Sequence, residues 1–173
     1  SDVYKRQIVM QDVSELKKAY AELENMVIYD QLTGVYSMYS FMEHCKQYDE
    51  YNGSVAVVVC DINHLSDINI QYEQKAGDQA LINVAGVLKK ILMDRAYIAR
   101  INEGNFVAVM KNVTDAEAGK TFEQIKRTVE KECNNGKFGV TIEYGIAMRK
   151  ASNRWIMDIV HEAVNDMRDR KGR

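Results

Sequence analysis

The sequence has no proline, and among its 173 residues it has only three cysteines, three histidines and one tryptophan. The absence of proline suits a compact domain with short loops. Cys45, Cys60 and Cys133 are odd in number and widely spaced, which argues against a disulfide framework and against a zinc site. We therefore expect reduced thiols in a cytoplasmic protein.

The sequence also has little net charge and no long apolar run. The formal net charge is -2, which gives no electrostatic case for a nucleic-acid partner or an anionic membrane surface. No apolar run approaches the roughly 20 residues of a transmembrane helix, and no signal peptide is visible, so we expect no membrane contact within these residues. A hydrophobic fraction of 46% suits one domain with a short extension.

The first seven residues, Ser1–Gln7, are predicted to be a non-native leader. They can be back-translated as TCA GAT GTG TAT AAG AGA CAG, a string that resembles the mosaic end of transposon-based sequencing libraries. The alternative is a native polar leader, which the genome would encode upstream of Ile8.

Residues 8–29 are predicted to link an upstream sensor domain to the domain that begins at residue 30. Ile8–Glu15 resembles the last strand and exit of a PAS sensor domain, and Asp12 with Glu15 fits a helix-capping box. The helix after this box is too short for a stable coiled coil alone, so we expect it to pair with its copy in a homodimer. Packing on its own domain is the alternative. The pairing rests on apolar residues at alternating steps of three and four: Val13, Leu16, Tyr20, Leu23 and Val27.

The remaining pattern predicts an α/β (α+β) domain with one mainly antiparallel sheet. Near-continuous apolar residues over Ser54–Cys60 predict a central strand that is buried on both faces, and Phe138–Met148 alternates as a further strand. Apolar residues at helical spacing predict helices over Ser37–Gln47 and after the N-cap candidates Asp78, Thr114 or Asp115, and Asn153.

Ala96–Met110 predicts a β-hairpin. Tyr97–Ile101 and Phe106–Met110 are apolar and β-prone. Between them, Asn102–Asn105 is polar and contains the residue types that suit a tight turn.

Together these segments resemble the GGDEF, or diguanylate cyclase, family over residues 30–173. The resemblance implies a nucleotidyl-cyclase palm-like fold, with a central, mainly antiparallel five-stranded sheet flanked by helices and an N-terminal helical extension. It rests on matches in the family's order and spacing, namely Asp30-x-Leu32-Thr33-Gly34, Asp61-Ile62, Ile68-Asn69, Gly77-Asp78, Ala99-Arg100 and Val140-Thr141 with Gly145.

The resemblance also implies a chemistry and a set of site residues. Members of the family condense two GTP into cyclic di-GMP in a dimer, with metal ions between carboxylates and phosphates. The resemblance assigns metal contacts to Asp61 and the backbone carbonyl of Ile62, and guanine contacts to Asn69 and Asp78. It assigns a phosphate contact to Arg173. Mg²⁺ is expected only together with bound GTP.

The signature itself departs from the family. Asn102-Glu103-Gly104-Asn105-Phe106 stands where the family has Gly-Gly-Asp/Glu-Glu-Phe. Gly104 therefore takes the place of the metal-binding acid, and no catalytic residue is expected. Asp169 takes the place of a phosphate-binding lysine, which Lys171 would partly offset. The product-inhibition motif Arg-x-x-Asp is absent from Met93–Ala96.

These departures leave three functional hypotheses. The first is a catalytically inactive GGDEF-like module that regulates or dimerises a bacterial signalling protein, with GTP binding left open. The second is a nucleotide-binding sensor that binds GTP without turnover. The third is an active diguanylate cyclase with a metal site rebuilt around Asp61 and Glu103. Since adjacent strand residues point to opposite faces, that site would need a local bulge. Asp61, Asn69 and Asp78 also fit purely structural roles in a turn, a loop and an N-cap.

Overall fold

The computed structural model describes residues 1–134, 136–150 and 152–172. One sheet lies between two layers of helices, and all three of its strand pairings are antiparallel. The strand order is β2-β3-β1-β4, with β1 (Val55–Ile62), β2 (Tyr97–Arg100), β3 (Asn105–Lys111) and β4 (Ile142–Arg149). The helices are α1 (Asp2–Ile28), α2 (Met38–Asp49), α3 (Leu65–Tyr72), α4 (Gln74–Leu92), α5 (Asp115–Glu132) and α6 (Ile156–Lys171).

The sheet has four strands among the described residues, and the expectation of five is wrong. The sequence supplies four β-prone runs, and each of them forms one strand. The predicted strand Phe138–Met148 begins later, at Ile142. The reason is the register: Ile142 pairs with Ile62, the last residue of β1, so residues before Ile142 have no neighbouring strand to pair with.

The central strand β1 is buried on both faces, as its sequence predicts. Its even-numbered residues, such as Val58, pack in the cluster that includes α4 and α5. Its odd-numbered residues, such as Val57 and Val59, pack in the cluster that includes α2 and α6. Both helical layers are therefore anchored on one strand, because apolar side chains alternate between its two faces.

The helix α1 runs unbroken from Asp2, with Ser1 as its N-cap. The predicted strand at Ile8 and the predicted helix start at Asp12 are therefore wrong. No glycine or proline interrupts residues 1–28, so nothing in the sequence stops the helix at either point. No residue of α1 is buried. Among the described residues, none of the helices has the length and apolar character needed to cross a membrane.

Two of the residues predicted as helix N-caps, Asp78 and Asn153, do not cap a helix. Asp78 is inside α4, which begins at Gln74. The last helix begins at Ile156 and not after Asn153, because its first amide is capped from a distance: Ile156 N donates to Oδ1 of Asp49 at 2.7 Å. The predicted cap of α5 is confirmed, since Thr114 forms a capping box with Glu117.

Candidate functional site

The hairpin between β2 and β3 is closed by the side chain of Asn102. Its Oδ1 accepts hydrogen bonds from Gly104 N at 3.2 Å and from Asn105 N at 2.9 Å, and Ile101 N donates to Asn105 O at 3.0 Å. Asparagine is a typical turn residue because it can bond to the backbone in this way. Gly104 does not have a positive φ. The backbone conformation therefore does not require glycine at position 104.

Gly104 lies against the end of β1. A Cβ added to Gly104 would lie 3.2 Å from Oδ1 of Asp61 and 3.3 Å from Cδ2 of Leu65. The two segments are also hydrogen-bonded, since Ile62 N donates to Gly104 O at 3.2 Å. Any side chain at position 104 would touch Asp61, and glycine supplies none. The role of the Ile62 carbonyl as a metal contact stays a prediction.

The carboxylate of Asp61 is already paired with a cation. Lys171, in the last turn of α6, forms an ion pair with Oδ2 of Asp61, and the side chains of Lys171 and Asp61 are 35% and 25% exposed, respectively. Asp169 is exposed. Residues two apart on a helix do not share a face, so Lys171 does not take over the position of residue 169.

Glu103 does not join this group. Its side chain is exposed, and its backbone carbonyl accepts a hydrogen bond from Nη2 of Arg100 at 2.8 Å. Within the part of the chain that the structure describes, no three histidine, cysteine, aspartate or glutamate side chains come together to hold a metal ion. Mg²⁺ takes an octahedral set of oxygen ligands with carboxylates among them. A single carboxylate that is already paired with Lys171 does not fit such an ion.

Arg100 ties the hairpin to the turn at Asp30. Its Nη1 lies 3.3 Å from both carboxylate oxygens of Asp30, and its Nε donates to Asn102 O at 3.2 Å. Oδ1 of Asp30 also accepts hydrogen bonds from the amide and hydroxyl of Thr33, at 2.9 and 2.6 Å. Burial alone would raise the pKa of Asp30, but the Thr33 hydrogen bonds and the Arg100 charge outweigh it and hold that pKa below its ordinary value.

The predicted guanine contacts lie where α3 meets α4. Oδ1 of Asn69 is buried and has no hydrogen-bond donor within the described structure, and a Cβ on Gly77 would lie 1.8 Å from it. The next residue, Asp78, accepts a hydrogen bond from Nε2 of Gln74 at 3.2 Å. Buried acceptors are rarely left without a donor, which makes the Asn69 Oδ1 an unusual atom among the described side chains. Arg173, the predicted phosphate contact, lies outside the described residues.

Sequence reasoning missed two side chains of the site. The family resemblance implies no role for Arg100, although an arginine just before a polar turn can reach that turn's carbonyl groups. For Lys171 it implies a position beside a phosphate and not a contact with Asp61. Neither contact has a short-range sequence signal, because each joins residues that are 70 or more positions apart, Arg100 with Asp30 and Lys171 with Asp61.

The chain is similar to curated bacterial proteins. It is 31% identical over 128 residues to the uncharacterized protein YhcK of Bacillus subtilis, an alignment that covers 69% of this chain and 36% of YhcK. It is 27% identical over 162 residues to the uncharacterized membrane protein SH2145 of Staphylococcus haemolyticus, covering 84% of this chain and 46% of SH2145. The chain thus spans less than half the length of either relative.

The fold is similar to a crystal structure of the coiled coil and GGDEF domain of DgcB from Caulobacter crescentus in complex with c-di-GMP. The TM-score is 0.87 at 20% sequence identity, and the match covers 100% of this chain and 97% of that one. The family model described as diguanylate cyclase, GGDEF domain, matches residues 27–173. The chain therefore belongs to the GGDEF domain family of diguanylate cyclases.

Proposed function

We propose that this chain is a catalytically silent GGDEF domain that acts as a regulatory and dimerisation module in bacterial cyclic di-GMP-type signalling. The observation that carries the proposal is the contact between Gly104 and Asp61. A side chain at position 104 would touch the Asp61 carboxylate, and the chain has glycine there. The family's second metal-binding carboxylate is therefore missing at the point where the backbone would have presented it.

The chemistry explains why this loss matters. Joining two nucleoside triphosphates requires cations that neutralise the phosphate oxygens while the hydroxyl group attacks. Here one carboxylate remains, and Lys171 is paired with it. Asp169 adds negative charge near the end of α6, where like charges would weaken triphosphate binding. These features support a domain that transmits a signal without synthesising cyclic di-GMP.

The alternative, an active cyclase rebuilt around Glu103, gains no support from the hairpin. The Glu103 side chain is exposed, and the backbone at this residue is held by Arg100. The two hypotheses are separated by incubating the purified protein with GTP and either Mg²⁺ or Mn²⁺. We expect product no higher than in a protein-free blank. Turnover that Asp61→Ala abolishes would establish the rebuilt site instead.

Dimerisation is proposed to occur through α1. The apolar seam of α1 consists of Val13, Leu16, Tyr20, Leu23 and Val27. Its side chains are exposed, with Leu16 at 59%, Tyr20 at 62% and Leu23 at 59%. Burying such side chains against a second copy is favourable, whereas leaving them in water is not. The similarity to the DgcB structure, which contains a coiled coil, extends over 100% of this chain and supports the same use of the helix.

The domain arrangement is part of the proposal. Residues 30–173 form the GGDEF-like domain, residues 8–29 link it to an upstream sensor domain in the cytoplasm, and residues 1–7 are a non-native leader. The family match begins at residue 27, close to the proposed boundary. The unbroken helix α1 supports the linker but gives no support to a PAS strand at Ile8. Sequencing the native locus upstream of Ile8 tests the assignment of the leader.

A nucleotide-sensing role is a second candidate, and the Asn69 side chain favours it. Its buried Oδ1 has no donor within the described residues, and a purine base can supply an N–H group. In this role GTP binds without turnover. Isothermal titration calorimetry with GTP tests it: Asn69→Ala and Asp78→Ala should each weaken binding about tenfold, the loss of roughly one hydrogen bond to a buried group. If the wild type gives no heat of binding with GTP, the nucleotide-sensing role is excluded.

A further inference from the structure

The C-terminal turns of α6 are held against β4 by backbone contact. A Cβ on Gly145 would lie 2.1 Å from Ala163 O and 2.2 Å from Met167 N, so the helix and the strand pack with no side chain between them. Oδ2 of Asp166 accepts a hydrogen bond from Ile146 N at 2.8 Å. The position of this part of α6 is thereby fixed relative to the sheet.

The next turn is fixed as well. Nε of Arg170 donates to Oδ2 of Asp166 at 2.9 Å, and its guanidinium carbon lies 4.8 Å from the centre of the Tyr144 ring. Lys171 is the next residue and reaches Asp61 at the end of β1. The ammonium group at Asp61 therefore comes from a helix whose preceding turns are anchored to the sheet.

The charge balance of the site matches a monovalent cation. The family resemblance implies a second aspartate two residues after Asp61, and this chain has Asn63 there. Gly104 and Asn105 are likewise uncharged at positions where the resemblance implies acids. Nδ2 of Asn63 donates to Oγ1 of Thr141 at 3.0 Å, so that amide has a structural partner.

Of these family positions Asp61 alone keeps a carboxylate, and Glu143, its cross-strand neighbour, has its own cation in Lys126 at 2.9 Å. A single positive charge balances Asp61, whereas a divalent ion would be left with excess charge and too few oxygen ligands.

We infer that the ammonium of Lys171 is the resident cation of this site and has replaced the divalent metal ion of the family. The site then takes neither Mg²⁺ nor Mn²⁺, and the end of α6 is tied to the end of β1 by the protein's own charges. The inference rests on the proposed function, because a silent domain has no need of a metal. It adds the identity of the group that replaces the ion.

The first test uses the unaltered chain and the metal alone. Electron paramagnetic resonance measures free Mn²⁺ during titration of wild-type protein and Asp61→Asn without nucleotide. Because Lys171 occupies the carboxylate, we expect the two binding curves to coincide. One Mn²⁺ bound per wild-type chain and lost in Asp61→Asn would overturn the inference. No cyclase turnover is measured, so this result is independent of whether the domain proves silent.

The second test restores the metal site. The double variant Gly104→Asp/Lys171→Met adds a second carboxylate beside Asp61 and removes the ammonium group of Lys171. We expect one Mn²⁺ per chain, bound about tenfold more tightly or better than in the wild type. Gly104→Asp alone should show a smaller gain, because Lys171 still competes.

The matched control is Gly104→Asp/Lys131→Met, which removes an exposed lysine of α5 and leaves Lys171 in place. It should behave like Gly104→Asp alone. Circular dichroism and thermal melting establish that each variant is folded. A folded Gly104→Asp/Lys171→Met variant that binds no more Mn²⁺ than this control would overturn the inference, because Lys171 would then not be the group that excludes the ion.

Discussion

Gly104 and Asp61 lie against each other, with the position of a Cβ on Gly104 only 3.2 Å from Oδ1 of Asp61. The hairpin therefore places a residue without a side chain directly beside the Asp61 carboxylate. Lys171 pairs with the other oxygen of the same carboxylate, Oδ2. Each contact that holds the site in place can be tested by substitution.

Gly145→Ala should destabilise the domain. The new Cβ would lie 2.1 Å from Ala163 O, a backbone atom, so α6 must move away from the sheet. Overpacking of this kind costs roughly 1–3 kcal/mol, and backbone displacement can raise the cost. Urea denaturation of the variant and of the wild type measures the difference in their free energies of unfolding.

The control for that variant is Gly86→Ala. Gly86 is exposed inside α4, and a Cβ there would meet nothing within 4 Å. Alanine favours the helix over glycine by roughly 0.5–1 kcal/mol, so this variant should be slightly more stable than the wild type. Equal stability of the Gly145→Ala and Gly86→Ala variants would contradict the close packing of α6 on β4.

Asp30→Asn should weaken the attachment of the hairpin and change the pH dependence of stability. The variant loses charged hydrogen bonds with Arg100 and Thr33, at a cost of about 1–3 kcal/mol at neutral pH. The folded state holds the pKa of Asp30 below its ordinary value of 3.8. The carboxylate's contribution is therefore fully present above that value and is lost as the pH falls through the lower folded pKa.

The measurement is the free energy of unfolding of wild type and Asp30→Asn from neutral to acid pH. The difference between them should be constant above about pH 5 and should shrink below about pH 4. A difference that stays the same across the whole range would show that the charge of Asp30 is not the source of the stabilisation.

Charge introduced into the apolar seam of α1 should dissociate the dimer. In Leu16→Lys/Leu23→Lys, two exposed seam residues become cationic and face their copies across the proposed interface. Sedimentation velocity should show a dimer for the wild type and a monomer for this variant. Glu15→Lys/Glu22→Lys, which places lysines off the seam, should remain dimeric. A monomeric wild type, or a seam variant that is still dimeric, would exclude α1 as the interface.

The sheet and most helices could be predicted because their signals are local. β1 has a run of apolar residues long enough to be buried on both faces, and the α5 capping box lies within four residues, Thr114 to Glu117. The start of α6 differs from its prediction because Asp49, far away in the sequence, caps the first amide of the helix. A distant cap leaves no pattern around Asn153 that reveals it.

The partner of the Asp61 carboxylate could not be predicted from the sequence. The position of Gly104 beside Asp61 depends on strand register, which sequence matching to a family captures. The Lys171 ion pair depends on how closely α6 approaches β4 at Gly145, and so on three-dimensional packing. The fifth strand came from the resemblance alone, with no β-prone run in this chain to support it.

The most direct test of catalytic silence is the amount of cyclic di-GMP formed from GTP, measured by liquid chromatography and mass spectrometry. Wild type and Asp61→Ala are incubated side by side at dimer-forming concentration with Mg²⁺ and with Mn²⁺. The proposed function predicts that both give the protein-free background. Cyclic di-GMP that accumulates with the wild type and is absent with Asp61→Ala would contradict it.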